Sequence, residues 1–262
     1  MSKIKEPHYF AVDIIPTNSF VRPIRDTTRY LRLFDKGADC KYLGEASPSY
    51  LLDPRAPWLI KAFSPDAKII AAIRDPVNAA FSFYQMLKRK GSLSCSFTDT
   101  VQDRIFRVPL DWHIQQLRLE YGFYSQSLKT YFEVFGRECI FISVFEEMRA
   151  DMRDTINQIA QFLDLPAPPS SGEPEVYNMS GIPRNCFMQR ILQNRSLTRF
   201  GVTLFSPPMR HKIRKILIKP ASTPEMDTKA REMLVELYAE DAEKVMKLLG
   251  RELPWPNFTS CK

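Results

Sequence analysis

Lys68-Ile-Ile-Ala-Ala-Ile73-Arg74-Asp75-Pro76-Val77-Asn78-Ala79-Ala80-Phe81-Ser82-Phe83-Tyr84 is the stretch on which the fold turns. A short apolar run stops at Arg74-Asp75-Pro76, and apolar residues then recur at helical spacing through Leu87, which predicts strand, tight turn, helix. Asp75 suits the N-cap, where its carboxylate accepts from an orphan amide, and Pro76 suits the first helical position, where no amide proton is needed. Parallel sheets bind ligands beyond the carboxyl ends of their strands, and a helix start there offers free amides to an anion. Arg74 stands at that edge with a planar fork able to grip a phosphate, and Ser82, two turns on, could add a hydroxyl. A second role suits the same residue types: Arg74 paired with a carboxylate at the sheet edge, and Ser82 a small residue against the strand. Generic chemistry leaves both open.

Working outward, Lys41-Tyr-Leu-Gly-Glu-Ala46 reads as a strand entering a loop at Ser47-Pro48, because a residue before proline is pushed out of the helical region. Glu138-Cys-Ile-Phe-Ile-Ser-Val-Phe145 is rich in β-branched and aromatic residues and reads as a third, buried strand. Tyr124, Leu128, Tyr131 and Phe135 fall on one face of a helix that Gly136 can end; Met152, Ile156, Ile159 and Phe162 repeat the pattern. A last helix carries Ala230, Leu234, Leu237, Val245 and Leu248 on one face, interrupted by Asp241, with Gly250 at its C-cap. Strands alternating with helices predict a three-layer α/β architecture around a mainly parallel sheet covered on both faces. Pro166 to Pro174 has linker composition but follows a helix within the alternation, so it reads as a loop inside one domain spanning 1–262.

The chain has 262 residues, 44% of them hydrophobic, which suffices for a sizeable core and excludes disordered and fibrous classes. A net charge of +7 tilts the partners towards anions without choosing among them. The five cysteines are scattered and odd in number, which points to neither a zinc site nor a disulfide framework and fits a reducing, cytoplasmic setting; no metal is expected. The apolar runs are far shorter than a membrane span, and the opening residues lack a signal-peptide core. The basic stretch Arg210 to Lys219, with apolar residues interleaved, reads as a surface helix with one buried side rather than as a membrane or nucleic-acid element, so no nucleic-acid partner is expected.

Ile-Arg-Asp-Pro at 73–76 followed by Ala-x-Ser-x-Tyr in the next helix resembles the 3′-phosphate-binding signature of the carbohydrate sulfotransferases, including the heparan sulfate enzymes and bacterial relatives. The likeness extends to Gly44-Glu-Ala-Ser-Pro-Ser-Tyr-Leu51, Tyr121-Gly-Phe-Tyr124, Phe145-Glu-Glu-Met148, Phe162-Leu-Asp-Leu165, Pro224-Glu-Met-Asp227, and Leu249-Gly-Arg251 with Trp255 behind it. It implies a P-loop-NTPase-like sulfotransferase fold and 3′-phosphoadenosine 5′-phosphosulfate (PAPS) as co-substrate. It also implies Arg74 and Ser82 on the 3′-phosphate and a hydroxyl or amine acceptor on a small molecule or oligosaccharide. Lys5-Glu6-Pro7-His8-Tyr9-Phe10 resembles the family's Lys-Glu-x-His-Phe-Phe stretch, which makes Glu6 the base that removes the acceptor's proton, with His8 and Lys5 orienting the acceptor or stabilising charge. Arg184, in the Tyr177 to Arg184 loop, and Lys219 are carried over as further donor contacts.

The resemblance starts after the point where family members carry a strand and a Pro-Lys-x-Gly-Thr-Thr loop that cradles the 5′-phosphosulfate. None of the nine glycines sits in such a loop. The expectation is a truncated enzyme with first strand and loop missing, or else an inactive remnant of the fold that still binds the nucleotide or another anion.

Overall fold

The computed structural model describes residues 1–11, 14–15, 22–37, 39–89, 93, 95–106, 117–169, 181–183, 218–220 and 225–258. The chain groups into two compact units, Met1–Ser171 with Met226–Lys262, and Gly172–Glu225. In the first unit the described elements run α1 (Thr27–Leu31), α2 (Ala56–Phe63), β1 (Ile69–Ile73), α3 (Pro76–Arg89), α4 (Phe97–Phe106), α5 (Ser125–Phe135), β2 (Ile140–Val144), α6 (Phe145–Ala150) and α7 (Met152–Phe162). A long helix closes the unit, Thr228–Leu249, numbered α8. In the second unit β3 (Gly181–Pro183) pairs antiparallel with β4 (Ile218–Pro220), placing Ile182 opposite Lys219.

β1 and β2 form a parallel pair in the register Ile69↔Ile140 to Ile73↔Val144. Period two sends Ile69, Ala71 and Ile73 to the same face as Ile140, Ile142 and Val144. That face is covered by α5, whose Leu128, Tyr131 and Phe135 are buried against it, and by Ala242 and Val245 of α8, with Trp255 completing the packing. On the opposite face α7 covers β2 through Phe162, whose ring centroid lies 5.8 Å from that of Phe141, while Ile70 and Ala72 of β1 are exposed. Among the described residues helices therefore lie on both faces, but the cover predicted for the second face stops short of β1.

The strand, turn and helix around Arg74 form as the sequence requires. Asp75 is fully buried and its Oδ1 accepts from the Asn78 amide at 3.0 Å, while its Oδ2 takes two hydrogen bonds from Asn257. α5 ends at Gly136, whose φ of +82° is a conformation that favours glycine, and α8 ends at Gly250 in the left-handed region.

One expectation needs correction. Residues 41–46 form no strand; among the described residues the backbone bond they make is at Gly44, whose carbonyl accepts from Ser2, and Glu45 is drawn aside by three hydroxyls. Asp241 breaks the apolar face of the last helix, as read from the sequence, without ending the helix. Its carboxylate points across to α5 and accepts from the amides of Tyr124 (2.7 Å) and Ser125 and from the Ser125 hydroxyl, capping a helix 116 residues away in sequence. Among the described residues no helix is long and apolar enough to cross a membrane.

Candidate functional site

Arg74 leaves the carboxyl end of β1 with its guanidinium over the Phe145 ring, 4.3 Å from the centroid, and its side chain is 30% exposed. Its Nε is buried and finds no hydrogen-bond partner among the described residues, an unsatisfied donor at the place where parallel sheets take ligands. The nearest acid is Glu146, the second residue of α6, whose Oε1 lies 3.9 Å from that Nε, too far for a hydrogen bond. Glu146 Oε1 accepts from the Asp75 amide at 3.2 Å, and its Oε2 is buried with no partner among the described residues. Burial raises the Glu146 carboxyl above its ordinary value, opposed by hydrogen bonds from its own amide and that of Asp75, and burial lowers the Arg74 guanidinium. An arginine so far above neutrality stays charged regardless.

A second group of residues surrounds Glu6. Glu6 and His8 both hold left-handed backbone conformations, φ 54° and 53°, on either side of Pro7. Each costs a non-glycine residue about 1–2 kcal/mol, and such strain collects at functional sites. The Glu6 carboxylate is 38% exposed, 3.3 Å from Lys5 Nζ and 3.9 Å from His8 Nε2. Lys5 is almost fully exposed, so that pair contributes little to stability. His8 is buried, its Nδ1 2.6 Å from the fully buried Ser49 Oγ, and desolvation holds it below 6.5 against the pull of Glu6. A carboxylate beside a neutral imidazole and open to solvent has what a general base needs.

The turn Leu119–Gly122 packs beside α3. Burial raises the Tyr121 hydroxyl above its ordinary value, opposed by the charge of Arg118 and helped by those of Glu6 and Glu120. The neighbouring Gly122 fits where a Cβ would come within 2.6 Å of the Tyr238 ring and 2.9 Å of Pro76, so only glycine lets this turn seat against the start of α3.

With this arrangement in place, residues 48–198, more than half of the chain, match the sulfotransferase domain family. The chain belongs to that family. This sulfotransferase-family chain is 26% identical over 217 residues to mouse carbohydrate sulfotransferase 15, covering 63% of this chain and 39% of that protein. It is 29% identical over 139 residues to human heparan sulfate glucosamine 3-O-sulfotransferase 3B1, covering 52% of this chain and 34% of that one. It thus spans little more than a third of the length of these curated relatives. The crystal structure of a sulfotransferase from Alicyclobacillus acidocaldarius superposes with a TM-score of 0.70 at 25% identity, over 96% of this chain and 85% of that one. The sulfotransferase fold and the distant homology to carbohydrate and heparan sulfate enzymes are established by these matches.

Of the residues singled out from sequence, Lys5, Glu6 and His8 share one loop and Arg74 sits at the sheet edge. Ser82 lies exposed on α3, one helical turn beyond Asn78. Lys219 lies in β4 of the second unit, and Arg184 falls outside the described residues, as does the stretch 210–217. The free amides expected at the start of α3 are partly taken, since Asp75 occupies that of Asn78 and Glu146 that of Asp75 itself. Sequence reasoning did not single out Glu146 beside Arg74, or Ser47 and Ser49 beside His8, although each lies in a segment that carries the family resemblance.

Proposed function

We propose that this sulfotransferase-family chain transfers a sulfuryl group from PAPS to a hydroxyl or amine acceptor, most simply on a carbohydrate, as one domain working in the cytoplasm. The observation that carries the reading is the unsatisfied Arg74 Nε at the carboxyl end of β1. A donor of fixed charge left without an acceptor beside a helix start fits a phosphate oxygen, and the face of Phe145 holds its plane in position. Arg74 would bind the 3′-phosphate and Ser82 would approach from α3, with Lys219 and Arg184 as further donor contacts.

In the reaction the acceptor oxygen or nitrogen attacks sulfur in line. The bond from sulfur to the bridging oxygen of the 5′-phosphate breaks, 3′,5′-adenosine bisphosphate leaves, and the acceptor's proton passes to the Glu6 carboxylate. His8 and Lys5 sit within 4 Å of that carboxylate, placed to orient the acceptor and offset charge.

Calorimetric titration of the 262-residue chain with 3′,5′-adenosine bisphosphate tests the reading. Binding is expected, and Arg74→Ala should weaken it by at least about 10-fold, the loss of a charge-assisted hydrogen bond. No binding, or the same affinity in Arg74→Ala, refutes it. A fold that binds the nucleotide without turnover is the second reading; Glu6→Gln separates the two, since it should leave affinity intact and lower transfer by about 10²-fold or more where Glu6 is the base.

A further inference from the structure

The strained turn at Glu6-Pro7-His8 is held by side chains that no role has yet been given. The His8 amide donates to Ser47 Oγ at 3.0 Å, and the Ser47 hydroxyl donates to Glu45 Oε2 at 2.9 Å. Two residues on, the Phe10 amide donates to the Tyr50 hydroxyl at 3.4 Å, and Tyr50 donates to Glu45 Oε1 in a close contact. Both relays therefore run the same way, amide to hydroxyl to carboxylate. Each hydroxyl has one proton, and giving it to Glu45 leaves the oxygen lone pairs free for the amide. Tyr30 adds a third donor to Glu45 Oε1 at 3.3 Å, so the carboxylate, which can only accept, sets the direction of every bond around it.

Ser49 completes the grip. Its hydroxyl lies 2.6 Å from His8 Nδ1, while His8 Nε2 faces the Glu6 carboxylate at 3.9 Å. A carboxylate on that side favours the proton on Nε2, which leaves Nδ1 to accept from Ser49. Ser49 is fully buried, which rules out a nucleophilic role despite the serine, histidine and carboxylate in a row. The Pro7 carbonyl is tied as well, accepting from the Ile24 amide at 2.9 Å.

We propose that Glu45, acting through the hydroxyls of Ser47 and Tyr50, is a positioning residue of the transfer site: it holds residues 6–10 in the left-handed turn that presents Glu6, while Ser49 fixes the His8 ring. The proposal rests on the reading of Glu6 as the base for its catalytic consequence, and on hydrogen-bond geometry alone for the clamp itself.

Glu45→Gln tests it, because the amide keeps the shape but turns one acceptor into a donor, so one relay must break. In ¹⁵N-labelled 262-residue chain, hydrogen exchange at the His8 amide or at the Phe10 amide, whichever relay loses its acceptor, should quicken by about tenfold or more, with Leu128 in the core unchanged. Ser47→Ala should release the His8 amide and spare that of Phe10, and Ser47→Thr, which keeps the hydroxyl, should restore it. Ser49→Ala should move the His8 ring nitrogen shifts away from the Nε2–H pattern. In a transfer assay Glu45→Gln should lower kcat by about tenfold to a hundredfold at unchanged KM for the donor, the mark of a misplaced group rather than a lost binding contact. Unchanged protection at both amides in Glu45→Gln overturns the clamp. Loosened amides with unchanged kcat overturn its positioning role. The exchange measurement needs no turnover, so it decides the clamp even where Glu6→Gln shows that the base assignment fails.

Discussion

Arg74 and Glu146 are a cation and a carboxylate that face each other without closing. Nε stays 3.9 Å from Oε1, and each side chain keeps a buried atom with no partner among the described residues. An anion bound by Arg74 would meet Glu146 as a like charge. Burial raises the Glu146 carboxyl above its ordinary 4.5, so at low pH it is neutral, and as pH rises through the raised value a negative charge forms beside the bound phosphate. Glu146→Gln should therefore bind 3′,5′-adenosine bisphosphate more tightly than the unaltered chain, by about threefold to tenfold for a partly exposed pair. The advantage should shrink as pH falls and the wild-type carboxyl protonates. The phosphate's own second ionisation, near pH 6, acts in the same direction, since a monoanion meets less repulsion from Glu146 than a dianion does. Titrations at several pH values check this, and a ratio of one throughout contradicts it. Arg74, Glu6 and His8 could be proposed from the sequence because short local motifs carry them. Glu146 and Ser47 could not, since the contacts that single them out are to residues 71 and 39 positions away along the chain.

At the scale of elements, the strand, turn and helix from Ile69 to Arg89 were legible because the signals are local: β-branched run, N-cap, proline, apolar period. The expected strand over 41–46 failed because an extended run into a proline does not supply a ladder partner, and the hydroxyls around Glu45 offered that segment other bonds. Asp241 shows the same limit. On a helical wheel it is a polar break in an apolar face, whereas in the fold it caps α5 and ties that helix to α8. Asp241→Ala should cost about 1–2 kcal/mol, the usual worth of an N-cap, with a lower denaturant midpoint and an unchanged slope. Equilibrium unfolding followed by tryptophan fluorescence checks this; a midpoint equal to that of the unaltered chain would show that the two helices hold together without the cap.

Across the whole molecule, one sheet face packs under α5 and α8, and this packing fixes where Ile73 ends and so where Arg74 emerges. Gly122 then seats its turn against Pro76 at the start of α3 and against Tyr238 of α8. Family membership gives the fold its name, but the proposed chemistry depends on what Arg74 holds. The most direct measurement is a crystal structure of the 262-residue chain with 3′,5′-adenosine bisphosphate. Phosphate oxygens should lie within about 3 Å of the Arg74 guanidinium, at hydrogen-bond distance, with the Ser82 hydroxyl turned towards the same phosphate. A structure in which Arg74 closes onto Glu146 and the nucleotide is absent, or is bound elsewhere, would contradict the proposed function.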